Sequence, residues 1–111
     1  MLRVPAKDPS AAPAIFGVAD CTVFKAKTGG ARIIGWETVL RSDWGASYPK
    51  FLTACTQQQI RYDGTRVRVF LCAQAIGAGG GCADGGNYRS TDGEHHWEIS
   101  RSGAGWEPLP R

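Results

Sequence analysis

Twice along this chain an Asp-Gly pair stands beside runs rich in β-branched and aromatic residues, at Asp63-Gly64 and again at Asp92-Gly93. Both residues of that pair tolerate the positive φ that a tight turn between twisted antiparallel strands demands, so the dipeptide is a strong hairpin signal. The first pair predicts a two-residue turn joining Ile60-Arg61-Tyr62 to the long run Thr65 to Ile76. The second predicts the same between Asn87 to Thr91 and Glu94 to Ser100. Within the long run Val67, Val69 and Leu71 alternate with Arg66, Arg68 and Phe70 before both parities turn apolar, the pattern of a central strand. Ser102-Gly103-Ala104-Gly105 then starts a return through Trp106, and the C-terminal third reads as a meander.

Upstream, Ile15 to Phe24 reads as one strand, interrupted by Thr28-Gly29-Gly30 before a second strand from Arg32 to Leu40. Ile34, Trp36 and Leu40 share the parity assigned to the core. One segment carries helical spacing instead: Ser47 or Tyr48 precedes Pro49, and Tyr48, Phe51, Leu52 and Cys55 follow on one side, with Thr53, Gln57 and Gln58 on the other. It predicts a short helix through Gln59, lying against a sheet. Residues 1–13, with Pro5, Pro9 and Pro13, read as an extended N-terminal arm. At 111 residues there is room for one core. The fold class is therefore α+β: a single domain over residues 14–111, an antiparallel sheet of about five or six strands with one helix packed on one face.

A formal charge of +3, with Lys and Arg scattered along the chain, is too mild to imply a nucleic-acid partner. Basic pairs such as Arg66 with Arg68, or Lys25 with Lys27, read first as solvated strand faces. No stretch approaches the roughly 20 apolar residues of a membrane helix, so a soluble protein with no membrane partner is predicted. Met1-Leu2-Arg3-Val4-Pro5 lacks the apolar run of a signal peptide, which tilts the reading toward the cytoplasm without fixing the compartment. Cys21, Cys55, Cys72 and Cys82 include no short Cys-x-x-Cys spacing, and neither a metal nor a cofactor is predicted. Cys21, Cys55 and Cys72 fit buried thiols. Cys82 sits in a glycine-rich tract, and a bridge from Cys72 to Cys82 would close it.

That tract, Ile76 to Gly86, has glycine at six of its eleven positions. Clustered backbone N–H groups can cradle an anion, yet no helix and no Lys-Ser/Thr pair follows, so a mobile surface connection is the leading reading. His95 shares parity with Trp97 and Ile99 and is placed at the edge of the core; His96, between Glu94 and Glu98, is placed on a polar face. Ser90, Asp92 and His95 lie around one turn, where Ser and Asp bond the local backbone, and no triad is read from them.

From Ala83-Asp84-Gly85-Gly86-Asn87-Tyr88 through Asp92-Gly93 to Trp97 the chain resembles the loop of the periplasmic inhibitors of c-type lysozyme, whose motif runs Ser-Gly, two residues, Tyr, then Asp-Gly and Trp. The resemblance implies an all-strand barrel presenting a Ser to the lysozyme cleft. Asp84 stands at that Ser position and a helix is read around Phe51, so the family is not assigned on this ground.

Three functional readings follow. The first is a non-catalytic binding or interaction module, using Trp44, Tyr48, Tyr62 and Tyr88 beside turns and loops. The second is a small enzyme or ligand carrier with a pocket between helix and sheet, His95 being its titrating group. The third is an inhibitor-like secreted protein presenting the loop 77–86. Since no acid–base set converges, a binding role is favoured over catalysis. A small molecule or another protein is the partner class, and self-association is left open.

Overall fold

The computed structural model describes residues 1–6, 13–30, 32–42, 52–77, 81–100 and 105–109. These residues form two antiparallel sheets. The first joins β1 (Leu2–Val4), β2 (Ala14–Ala19), β3 (Thr22–Gly29) and β4 (Arg32–Arg41) in chain order. The second joins β5 (Thr53–Tyr62), β6 (Val67–Ala75), β7 (Asp84–Ser90), β8 (Trp97–Ser100) and β9 (Glu107–Pro108), again in chain order. There is no α-helix among the described residues, so the class is all-β and the α+β expectation is corrected. No helix among them is long and apolar enough to cross a membrane.

The correction centres on β5. Cys55 and its neighbours have helical spacing locally, but the strand pairs with β6 from Thr53 opposite Ala75 to Tyr62 opposite Val67. That ladder satisfies one backbone edge of β6, whereas β7 satisfies the other. Local propensity differences of a few tenths of a kcal/mol per residue do not outweigh a whole ladder. A bulge at Thr56, which has no partner between Cys55 opposite Ala73 and Gln57 opposite Cys72, resets the register within the strand.

The run Ile15 to Phe24, read as one strand, is two. Ala19 pairs with Thr22 across a tight turn in which Asp20 and Cys21 have φ of 51° and 53°. Two successive positive φ values make the type of turn that suits a twisted hairpin, and Asp tolerates this region well. Cys21 tolerates it less. It is held there by a disulfide to Cys55 and by its N–H donating to Gln58 Oε1 at 2.9 Å. The reading of Cys21 and Cys55 as free buried thiols is thus replaced by a bond that staples the first sheet to the second. A second disulfide joins Cys72 on β6 to Cys82.

The core lies between the sheets. Phe16, Val23 and Leu40 from one meet Val67, Val69, Leu71, Ala73, Tyr88, Trp97 and Ile99 from the other. Leu2 and Val4, inside the segment read as an arm, pack against this core from β1. On β4, Ile34 and Val39 are each extra residues relative to β3, so facing changes twice along the strand. Leu40 is therefore buried while Ile34 is 72 % exposed and Trp36 is 43 % exposed, which corrects the shared face predicted for the three.

Candidate binding face

β6 sorts its side chains strictly at its start. Val67, Val69 and Leu71 are buried between the sheets, which sends Arg68 and Phe70 to the outer face of the five-stranded sheet. Pairing then sets two rows across four strands. Arg61, Arg68, Arg89 and Glu98 stand opposite one another in one row, and Gln59, Phe70, Asn87 and Ser100 in the next. Trp106 closes one side, with the Arg89 guanidinium 4.2 Å from its ring centre. Of these residues, Gln59, Arg61, Arg68, Phe70, Asn87, Ser100 and Trp106 border a depression of about 360 Å³.

Three arginines directly opposed on three neighbouring strands is an unfavourable arrangement unless the charges are met. Two are met. Arg68 pairs with Asp63, and Arg89 Nε donates to Glu98 Oε1 at 2.8 Å. The Arg68 guanidinium, followed by the N–H groups of Arg66 and Thr65, holds the Asp63 carboxyl well below the usual carboxylate range. Arg61 is exposed and has no carboxylate partner among the described residues.

The second polar cluster fills the turn between β7 and β8. Ser90 pairs with Trp97, so residues 91–96 form the connection and β8 begins only at Trp97. Both histidines accordingly lie outside the strand. His95 is 71 % exposed and His96 is 79 % exposed in their side chains, and the parity argument that put His95 at the core edge is corrected. Ser90 Oγ donates to Asp92 Oδ1 at 2.8 Å and accepts the N–H of Gly93 at 2.8 Å. Asp92 Oδ1 also accepts the N–H groups of Glu94 and His95, and its Oδ2 lies 2.7 Å from His96 Nδ1. Partial burial pushes the Asp92 carboxyl up. The Glu94 N–H, the His96 ring, the Ser90 hydroxyl and the His95 N–H outweigh it and hold the group well below its ordinary value.

This cluster is not a nucleophile set. The carboxylate sits between hydroxyl and imidazole, whereas activating a serine requires the imidazole in the middle. Nor do Glu94, His96 and Glu98 converge: Glu94 pairs with Lys25, His96 with Asp92 and Glu98 with Arg89. No group of three His, Cys, Asp or Glu side chains among the described residues could hold a metal ion.

Of the other residues singled out in the sequence, Trp44 and Tyr48 lie outside the described residues. Tyr88 is a core residue, 1 % exposed, and Tyr62 packs beside the core with its hydroxyl donating to Gly64 O at 2.9 Å. The pocket expected between helix and sheet loses its helix wall. Within the tract 77–86, Gly85 and Gly86 belong to β7, and Gly85 is required by packing: its φ is 102° and a Cβ there would lie 2.2 Å from Leu71 O. The first half of the segment resembling the lysozyme-inhibitor loop is thus a strand inside a sheet. Residues 78–80 lie outside the described residues. Gln59, Arg61, Phe70, Asn87, Arg89, Ser100 and Trp106 were not singled out. The alternation of Gln59 with Arg61 carries the signal, and it is legible only if residues 53–62 are read as a strand.

No protein-family model, no curated protein and no solved structure matches this chain.

Proposed function

We propose that this protein is a non-catalytic binding module that takes an acidic ligand on the outer face of its five-stranded sheet. The observation that carries the reading is the row Arg61, Arg68 and Arg89, opposed across three strands and answered by two carboxylates among the described residues, beside an open depression. An anion there would relieve the like-charge row and gain directed N–H donors at once. Among the described residues no acid–base pair converges on that face, which favours binding over chemistry. Pairing of all four cysteines supports work in an oxidising compartment, in place of the cytoplasm toward which the sequence tilted.

The test is retention of the folded, oxidised protein on immobilised dextran sulfate against plain dextran, read as the salt concentration of elution. Arg61→Ala should elute at clearly lower salt than the unmodified chain, and Lys27→Ala, an exposed charge on the distal part of the β3–β4 hairpin, should not. Equal shifts for both substitutions would show that only net charge matters, and the assigned face would be abandoned.

A further inference from the structure

We infer that the acidic ligand is a uronate-bearing polysaccharide, its carboxylate held by Arg61; this rests on the reading of the outer face as a binding site. The first argument is charge. Three arginines less Asp63 and Glu98 leave one net positive charge on the face, and Arg61, exposed and lacking a carboxylate partner among the described residues, is where it sits. One cation suits one carboxylate per recognised unit, and the planar guanidinium fork matches a carboxylate in two parallel hydrogen bonds. A single-stranded nucleic acid instead presents a phosphate at every nucleotide, and its affinity comes from neutralising several of them.

The second argument is the neighbouring row. Gln59 on β5 and Asn87 on β7 present exposed amide groups, with Phe70 on the strand between them. Strands stand about 4.8 Å apart, so these groups form a spaced pair of neutral donors and acceptors across the sheet. That is complementary to a series of hydroxyls. Ring carbons of a sugar can lie against Phe70 and the edge of the depression formed by Trp106, over whose ring the Arg89 guanidinium lies. The disulfides add that the domain is built for surroundings in which acidic polysaccharides, rather than nucleic acids, are the common polyanions.

Calorimetric titration of the oxidised full chain with sodium polygalacturonate, its methyl ester, dextran sulfate and single-stranded oligodeoxythymidylate tests the inference. Polygalacturonate should bind tightest. Methyl esterification, which removes the charge and keeps the sugar, should weaken binding by roughly tenfold or more, and Arg61→Ala should do the same. Arg61→Lys keeps the charge without the fork and should fall between. Asn87→Ala should also weaken polygalacturonate binding, and by a larger factor than it weakens dextran sulfate binding. Tighter binding of oligodeoxythymidylate or dextran sulfate through Arg61 would overturn the uronate inference and leave the acidic-ligand reading standing, whereas equal binding of the methyl ester would show that charge is not read and would overturn both. Failure of every polyanion to bind would overturn both.

Discussion

The two Asp-Gly turns begin from the same dipeptide and end as different objects. At the first, Tyr62 pairs with Val67 and residues 63–66 form the connection; Asp63 accepts the N–H groups of Thr65 and Arg66 while facing solvent. Gly64 has φ of 95° and nothing within 4 Å of where a Cβ would stand. At the second, Asp92 is drawn into a network with buried Ser90, and Gly93, φ 71°, lies against Phe16 on the opposite sheet. A Cβ at Gly93 would stand 2.5 Å from the ring of Phe16. Both glycines answer a backbone requirement, but only the second also answers a packing requirement between sheets. The turn chemistry is local in both cases, whereas its energetic weight depends on what the other sheet brings to the turn.

Alanine at each glycine should separate the two most sharply. Gly93→Ala combines left-handed strain with a collision against a buried ring and should lower unfolding free energy by about 3 kcal/mol or more. Gly64→Ala meets only the strain, and about 1 kcal/mol is expected. Denaturant midpoints measured on the two proteins decide it; similar losses would mean that the Phe16 ring turns aside without cost and that the turns are equivalent after all.

A smaller contrast is expected in the polar groups. Ser90→Ala leaves the Gly93 N–H buried without its acceptor and should cost about 2 kcal/mol. Thr65→Ala, at the exposed turn where only the Thr65 backbone N–H bonds Asp63, should fall within about 0.5 kcal/mol of the unmodified protein. If Ser90→Ala proves as mild as Thr65→Ala, the second turn is less dependent on its network than its geometry indicates.

The smallest effect is in the acid limb of stability. Asp63 and Asp92 both have folded carboxyls held below the unfolded value, so the unfolded chain binds more protons as pH falls. Their contribution is complete above the ordinary Asp range near about 4 and is lost as pH drops below it. Asp92→Asn should flatten that limb more than Asp63→Asn, since Asp92 accepts from the hydroxyl of buried Ser90 whereas the hydrogen bonds of Asp63 are all at exposed positions. Stability curves of the two variants between neutral and acid pH provide the comparison, and the reverse order would sink the distinction drawn between the turns.

How much of this was legible in the chain differs by element. The inward parity of Val67, Val69 and Leu71 was readable, because strict alternation records a half-buried strand directly. That Asp63-Gly64 and Asp92-Gly93 mark hairpins was readable too, although the connections are longer than two residues because Asp63 and Asp92 gather several N–H groups around their carboxylates; the third such pair, Asp84-Gly85, begins β7 instead. The β2–β3 turn was not, since Asp20-Cys21 contains no glycine and positive φ at Cys21 is maintained by partners far away in sequence. The candidate face was not legible for a related reason. Gln59 joins it only when the strand read at Ile60-Arg61-Tyr62 extends back to Thr53, and the local spacing through Gln59 argued for a helix.

By itself, then, the sequence determined which segments alternate, where the chain reverses at Asp-Gly, and that no familiar catalytic spacing is present. Only the tertiary structure decided that Thr53–Tyr62 is a strand, that Cys21 meets Cys55, that both histidines face solvent, and that three arginines share one row. The physical reason is range. Turn and alternation preferences are set by a residue and its immediate neighbours, whereas strand partnership, bulge position and disulfide pairing are settled by which distant backbone leaves its hydrogen bonds open and which apolar face remains to be covered.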